Sequence, residues 1–320
     1  RMTSTTRPWV QIPLSPPEFG RPVFKTGFSF IDIRNCTSGL YREWRIELPE
    51  KSINIRLNKA LGQNFLKGER VARRIVEYAE TVADIDFPVV EIGVGSGTLT
   101  KVMLERGFKV TGYEIDRRFA EQNRRLEGSR CQILYEDFLK ADIAELPDGI
   151  SYVANIPYYI TSPIIERIMF EGPVFCSALL MVQKEYADRL TASPGTKEYG
   201  ILTVNVRTFA LVNSLFQVSR KEFFPEPDVD STVIELKLLS SPYVVFEKRN
   251  EYRSFVRACF AQRRKKLKNN LKAVANDPER LLLDCGIGAS VRAEELCVDD
   301  FVRLFNALAN AAPTDGRFRG

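Results

Sequence analysis

The stretch Val153-Ala-Asn-Ile-Pro-Tyr-Tyr-Ile160 places an amide, a proline and two phenols directly after a short apolar run. Pro157 has no N–H and a fixed φ, which pushes Ile156 toward extended backbone. The side-chain carbonyl of Asn155 and a nearby backbone carbonyl can then both accept hydrogen bonds from one –NH₂ group. Tyr158 offers a ring on which a flat base can stack, worth ~1–3 kcal/mol by analogy with single-strand binders. These parts suit adenine N6, a weak nucleophile because its lone pair is delocalised into the ring. Two acceptors on its hydrogens draw the nitrogen toward tetrahedral geometry and aim the lone pair at an electrophilic carbon. That is positioning and charge stabilisation, not proton abstraction. The chain of 320 residues contains no histidine, so imidazole triads and His-containing zinc sites are excluded and no metal is expected.

A second constellation lies upstream in "VVEIGVGSGTLT", Val89 to Thr100, with Gly93, Gly95 and Gly97 between a strand-like run and a helix-like one. Glycines there let the backbone turn tightly and approach a ligand. The pattern alone is weak, since dinucleotide-binding folds use a similar turn. Glu91, just before the first glycine, disfavours a pyrophosphate and favours a cationic ligand such as S-adenosylmethionine. Glu114 in "GYEID" ends the next strand, where a carboxylate can accept both hydroxyls of a ribose. Asp137 in "YEDFL" follows the third strand and can accept from an adenine amine. Each acid alone is as readily a solvated loop carboxylate, but three in order after successive strands point to one ligand edge. Asp116 reads as structural.

Around these residues the apolar spacing predicts helices over Glu69–Ala83, Thr98–Arg106, Arg117–Leu126 and Pro163–Phe170. Strands are predicted at Phe87–Ile92, Lys109–Tyr113, Cys131–Tyr135, Ile150–Ala154 and Ala178–Val182. This alternation implies a mostly parallel sheet covered on both faces. Phe216–Val218 and Ser231–Leu238 add an antiparallel hairpin at one edge, giving seven strands. After Leu239 the chain reads as helices: Arg253–Ala275, Pro278–Cys285, Arg292–Leu296 and Asp299–Ala311. The expected organisation is an N-terminal extension (1–45), a Rossmann-like α/β domain (46–239) and a small helical domain (240–320).

Bulk composition adds limits. Charged residues make up 27% and the formal charge is only +5, so the distribution of charge says more than the total. From Tyr252 to Asn276 there are eight Lys or Arg and no acid, including Arg263, Arg264, Lys265 and Lys266. A charge run is often only a solvated face, yet this one is a candidate phosphate-contacting helix for RNA. Six scattered cysteines with no C-x-x-C pair fit reduced thiols in a cytosol-like compartment. No apolar run approaches the ~20 residues of a membrane span. Residues 1–45 carry seven Lys or Arg against three acids, which suits either a flexible extension or the remnant of an organelle-targeting segment. Cytoplasmic placement is the expectation, with an organelle as the alternative.

The order of "NKALGQNFL", "EIGVGSGTLT", "EID", "NIPYYITSPII", "MVQKEYADRLTASPGTKEYG" and "FFPEPDVDS" resembles the KsgA (RsmA)-type ribosomal RNA adenine dimethyltransferases, from about Asn58 into the C-terminal region. The resemblance implies a class I methyltransferase fold using S-adenosylmethionine. It also implies N6,N6-dimethylation of two adjacent adenosines in the 3′-terminal hairpin loop of small-subunit rRNA, within a pre-ribosomal particle, by a monomer. Carried onto this sequence, Asn64 and Leu66 would close over the cofactor, and Gly93, Glu114 and Asp137 would hold it. Asn155, followed by Pro157, would touch both cofactor and target amine. Tyr158 and Phe223 would sandwich the base, with Phe224 as the competing choice. Val94 stands where the family often has proline. Lys184, Glu185 and Arg189 read as a helix face with an ion pair. Two other readings stay open: a resistance-type enzyme acting on large-subunit rRNA, and a relative that only binds nucleic acid during assembly.

Overall fold

The computed structural model describes residues 62–83, 85 and 87–311. The expectations for residues 1–45, and for Asn58 to Leu61 of the first motif, lie outside the described residues.

A two-residue strand β1 (Phe65–Leu66) leads into α1 (Glu69–Val82), whose buried Val71, Ala72, Ile75, Val76 and Ala79 recur at helical spacing. There follow β2 (Val89–Ile92), α2 (Thr98–Glu105), β3 (Val110–Tyr113), the single turn α3 (Ala120–Asn123) and β4 (Cys131–Leu134). Next come β5 (Ser151–Asn155), α4 (Thr161–Phe170), β6 (Ser177–Gln183), α5 (Lys184–Leu190), α6 (Ile201–Phe209) and β7 (Ala210–Val218). The chain continues through β8 (Phe223–Phe224), β9 (Ser231–Leu238), α7 (Arg249–Cys259), α8 (Leu267–Leu271), α9 (Pro278–Asp284) and α10 (Val298–Ala311).

Seven strands form one sheet in the order β4-β3-β2-β5-β6-β9-β7. β4 through β6 are parallel, and β9 runs antiparallel to both β6 and β7. The order reverses between β2 and β5, and open sheets bind ligands outside the carboxyl ends at such a switch point. Central strands are mostly apolar because both faces are covered, with Glu91 of β2 the buried charged exception. Alternate residues sort by face: Val89, Val153, Leu179 and Met181 join the cluster under α1 and α2. Val90, Tyr152, Leu180 and Ile234 join the other.

The helices after residue 240 share that second cluster. Tyr252 and Phe255 of α7 are fully buried beside Phe170, Phe209 and Phe305. The Thr208 hydroxyl donates to the Tyr252 hydroxyl at 3.0 Å. Each ring of this size buried contributes about 1.5–3 kcal/mol.

Several elements differ from the sequence expectation: Arg292–Leu296 forms only a 3₁₀ turn at Ala293–Glu295, and β7 begins at Ala210 instead of Phe216. Arg117–Leu126 is not one helix but α3 between two 3₁₀ turns. α6 was not anticipated, because its β-branched run "ILTVNVRTF" passes into β7 without a loop. Arg253–Ala275 is not continuous: α7 ends at Cys259, residues 260–266 turn, and α8 begins at Leu267. No glycine or proline marks the break. The buried Asn270 amide donates to the carbonyls of Cys259 at 2.6 Å and Gln262 at 3.3 Å, satisfying groups that a helix end leaves open. We expect Asn270→Ala to destabilise the protein by about 1–3 kcal/mol, read as a lowered thermal or denaturant midpoint; an unchanged midpoint would show that the turn needs no such cap.

Candidate active site

The carboxyl ends of β2, β3 and β5 and the segment Gly62–Leu66 enclose a cleft of about 260 Å³. Asn64, Leu66, Gly93, Glu114, Asp137, Asn155, Pro157 and Tyr158 all line it. Residues read from five separate places in the sequence thus meet around one volume.

The Gly62–Leu66 segment lies over the glycine turn like a strap. β1 pairs antiparallel with β8, Leu66 opposite Phe223 and Phe65 opposite Phe224, so "GQNFL" and "FFPEP" form one ribbon. Gly95 has φ +54°, and a Cβ there would stand 2.9 Å from the Phe65 ring. Gly62 has the same φ and packs under the Tyr159 ring, where a Cβ would stand 2.8 Å away. Glycine is therefore required at both contacts by conformation and by space. Gln63 Nε2 donates to Asp116 at 2.8 Å.

Glu114 is buried, and both of its oxygens take backbone N–H groups: Gly95 at 2.6 Å and Asp116 at 2.7 Å. Burial raises its pKa against the opposing effect of those bonds. It faces the cleft with acceptor capacity that suits a diol. Asp137 accepts the Leu139 N–H at 3.0 Å and also lines the cleft. Asp116 caps the following turn and pairs with Arg118, which holds its carboxyl down at about 2. Its structural reading stands.

Glu91 points to the α2 face of β2, 1% exposed, and accepts a hydrogen bond from the Thr100 hydroxyl. Burial, with a smaller push from the Glu114 charge, raises its pKa to about 8. Neither Lys nor Arg pairs with it among the described residues. A buried acid without a cation among the described residues, in a cleft whose next acid has the acceptor capacity for a diol, fits a ligand that carries ribose and positive charge. S-adenosylmethionine has both.

Asn155 Nδ2 donates to the backbone carbonyl of Asn64 at 2.9 Å. A carbonyl can only accept, so the amide nitrogen must face the strap and Oδ1 is left to accept from something else. Asn64 folds its own amide onto the Gly62 carbonyl at 3.1 Å. Tyr158 is half-buried, and its hydroxyl hydrogen-bonds the Ser231 hydroxyl at 2.6 Å.

Phe223 needs correction. It is 0% exposed, packed in the cluster with Val218 and Val233, and does not line the cleft. A ring in that position presents no face to a base. Adjacent strand residues point to opposite sides, and Phe224, at 61% exposed, carries the outward ring.

The basic residues divide as well. Arg263 is occupied, donating to Glu294 at 2.7 Å and to the carbonyls of Lys197 at 2.6 Å and Tyr199 at 3.2 Å. Arg264, Lys265 and Lys266 are exposed on the 260–266 turn, and their side chains make no ion pair or hydrogen bond with the described residues. They sit on a turn, not on a helix. Ser231, Gln63 and Tyr159 also belong to the site's surroundings and escaped the sequence reading; only the proximity of Ser231 to "FFPEP" hinted at it. Among the described residues no group of His, Cys, Asp and Glu could hold a metal, and no helix is long and apolar enough to cross a membrane.

Residues 54–310 match the ribosomal RNA adenine dimethylase family. The chain belongs to that family. It is 44% identical over 259 residues to the ribosomal RNA small subunit methyltransferase A of Thermotoga maritima, covering 80% of this chain and 86% of the relative. The fold is similar to a dimethyladenosine transferase from Plasmodium falciparum, with a TM-score of 0.65, 28% identity and coverage of 77% and 98%. It is also similar to the 23S rRNA methyltransferase ErmE, with a TM-score of 0.59, 30% identity and coverage of 77% and 99%. This member of the adenine dimethylase family is thus a class I, S-adenosylmethionine-dependent enzyme that methylates adenine in ribosomal RNA.

The buried Glu91 has a measurable consequence. Its folded pKa of about 8 exceeds the ordinary 4.5, so the folded protein holds the proton more tightly than the unfolded chain. The associated stability is complete below the ordinary value and is lost as pH rises through about 8. Glu91→Gln should therefore gain in melting temperature relative to the parent at pH 8 but not at pH 4.5. Cofactor binding should release a proton near pH 7, seen as a buffer-dependent heat in calorimetry, and that dependence should vanish in the variant.

Proposed function

We propose that the cleft and the corner beside it dimethylate N6 of two adjacent adenosines in the 3′-terminal hairpin loop of small-subunit rRNA, within a pre-ribosomal particle in the cytoplasm. The carrying observation is the direction of the Asn155 amide, whose nitrogen is tied to the Asn64 carbonyl at 2.9 Å. With Nδ2 occupied, Oδ1 accepts one N6 hydrogen and a backbone carbonyl of the Asn155–Pro157 corner accepts the other. Both acceptors are neutral, so no carboxylate competes with the buried Glu91 for positive charge. Pro157 holds the corner open by fixing its own φ. Tyr158 carries one face of the base. S-adenosylmethionine supplies the electrophilic methyl group. Glu114 holds its ribose, Asp137 its adenine amine, and the strap residues Asn64 and Leu66 cover it from water.

The protein works as a monomer, and the helices of residues 240–311 serve as its RNA-docking part. Support for a small-subunit substrate comes from the higher identity to the small-subunit methyltransferase of Thermotoga maritima than to ErmE. The intact corner of Asn155, Pro157 and Tyr158 supports chemistry over a purely assembly role. The test is mass spectrometry of rRNA after separate incubation of unmethylated small and large subunits with the protein and labelled cofactor. Dimethyladenosine confined to large-subunit rRNA would overturn the substrate assignment.

Loss of a preorganised hydrogen-bonding group at a reacting centre costs ~10²–10³ in turnover. Asn155→Ala should fall in that range while cofactor affinity changes only a few-fold; near-normal turnover would remove Asn155 from its role. Replacing Arg264, Lys265 and Lys266 by Gln should weaken RNA binding and flatten the slope of log K against log salt by about 2–3 units. Arg263→Gln should instead lower thermal stability, because its bonds are internal.

A further inference from the structure

We propose that Ser231 is a positioning residue for base capture: its hydroxyl anchors the far end of the Tyr158 ring and so fixes where that ring stands for the target adenine. This rests on the reading of Tyr158 as the stacking ring. The Tyr158 and Ser231 hydroxyls are 2.6 Å apart, across 73 residues of sequence. Ser231 is 0% exposed and has no other side-chain hydrogen bond among the described residues.

The two ends of this bond differ in rigidity. Ser231 opens β9, the strand paired on both sides, with Gln183 of β6 and Val218 of β7 as its partners. The residue before it is also pinned: the Asp230 carbonyl accepts the Lys184 N–H at 3.0 Å and its carboxylate accepts the Arg220 N–H at 2.8 Å. Tyr158, by contrast, sits in a single 3₁₀ turn between β5 and α4. A ring on such a turn has freedom about its side-chain torsions unless its far end is tied. Ser231 ties that end to a strand paired on both sides. A stacking platform gains affinity if it is held in place before the base arrives, since otherwise binding must also order the side chain.

The bond can be removed from either side, by Ser231→Ala or by Tyr158→Phe, neither of which removes the ring. Loss of a hydrogen bond between neutral groups of this kind corresponds to about a tenfold change. We expect each variant to lower kcat/KM for the RNA about tenfold with cofactor affinity unchanged, and the double variant to be no worse than either single one. A target loop carrying 2-aminopurine at the modified position should lose part of its quenching in each variant. Additive losses in the double variant, or full quenching in both singles, would overturn the positioning role. If Ser231→Ala fails to fold, Tyr158→Phe reads the same bond, and normal turnover there overturns the proposal by itself. Tyr158→Ala separates the two levels. A collapse of turnover in Tyr158→Ala beside normal Ser231→Ala and Tyr158→Phe enzymes would retain the stacking ring and remove only Ser231. Normal turnover in Tyr158→Ala would remove both.

Discussion

A primary amide has a donor end and an acceptor end of nearly the same shape, and only the acceptor end can steer an amine. In this protein the choice is made by one bond, from Asn155 Nδ2 to the Asn64 carbonyl at 2.9 Å. The partner has no proton to give, so the amide cannot flip without losing it. The strap that lies over the cleft therefore also orients the Asn155 amide, with Oδ1 turned away from the Asn64 carbonyl. Everything that holds the strap down serves that orientation: its pairing with β8, the contact of Phe65 on Gly95 and the contact of Tyr159 on Gly62. An ordered strap and an armed Asn155 are one condition.

Electrostatics around the cleft follow a complementary logic. The cleft has acids and no histidine, and its deepest acid is kept protonated near neutrality by burial. Such a floor suits a ligand whose positive charge can draw off that proton and pair with the carboxylate left behind. The Asn155–Tyr158 corner of the cleft is neutral, built from an amide, a backbone carbonyl and a phenol. On the proposed reading, charge for RNA lies elsewhere, on the exposed turn at Arg264–Lys266, where phosphates would be met without desolvating the cleft. The helices that carry this turn share a core with the sheet through Tyr252, Phe255 and Phe209. Packing of that density transmits position rather than flexing.

The gathering of the site was legible from residue types alone: Asn155, Pro157 and Tyr158, with Glu91 inside β2 and Glu114 and Asp137 after the next two strands, do line one cleft. The parallel sheet was legible because short apolar runs alternate with segments of helical period from Val89 to Gln183. The region "ILTVNVRTFALVNSLF" was not, because β-branched residues filled a helix that its surroundings cover on all sides, and tertiary burial overrode local preference. The break at 260–266 was equally hidden. It depends on Asn270 reaching back to Cys259 and Gln262, which no local pattern signals.

Residue identity and order determined which groups exist and what each can donate, accept or stack upon. Direction and availability were settled only by the folded chain. Phe223 and Phe224 are the same residue type in the same motif, and the strand's alternation buries one and exposes the other. Arg263 and Arg264 are alike in sequence, yet the first is consumed by Glu294 and two carbonyls while the second stays free of such partners. Asn155 finds its carbonyl 91 residues away, and Tyr158 its hydroxyl 73 residues away. Whether a polar atom is spent or available depends on its neighbours in space, and those neighbours come from distant parts of the chain.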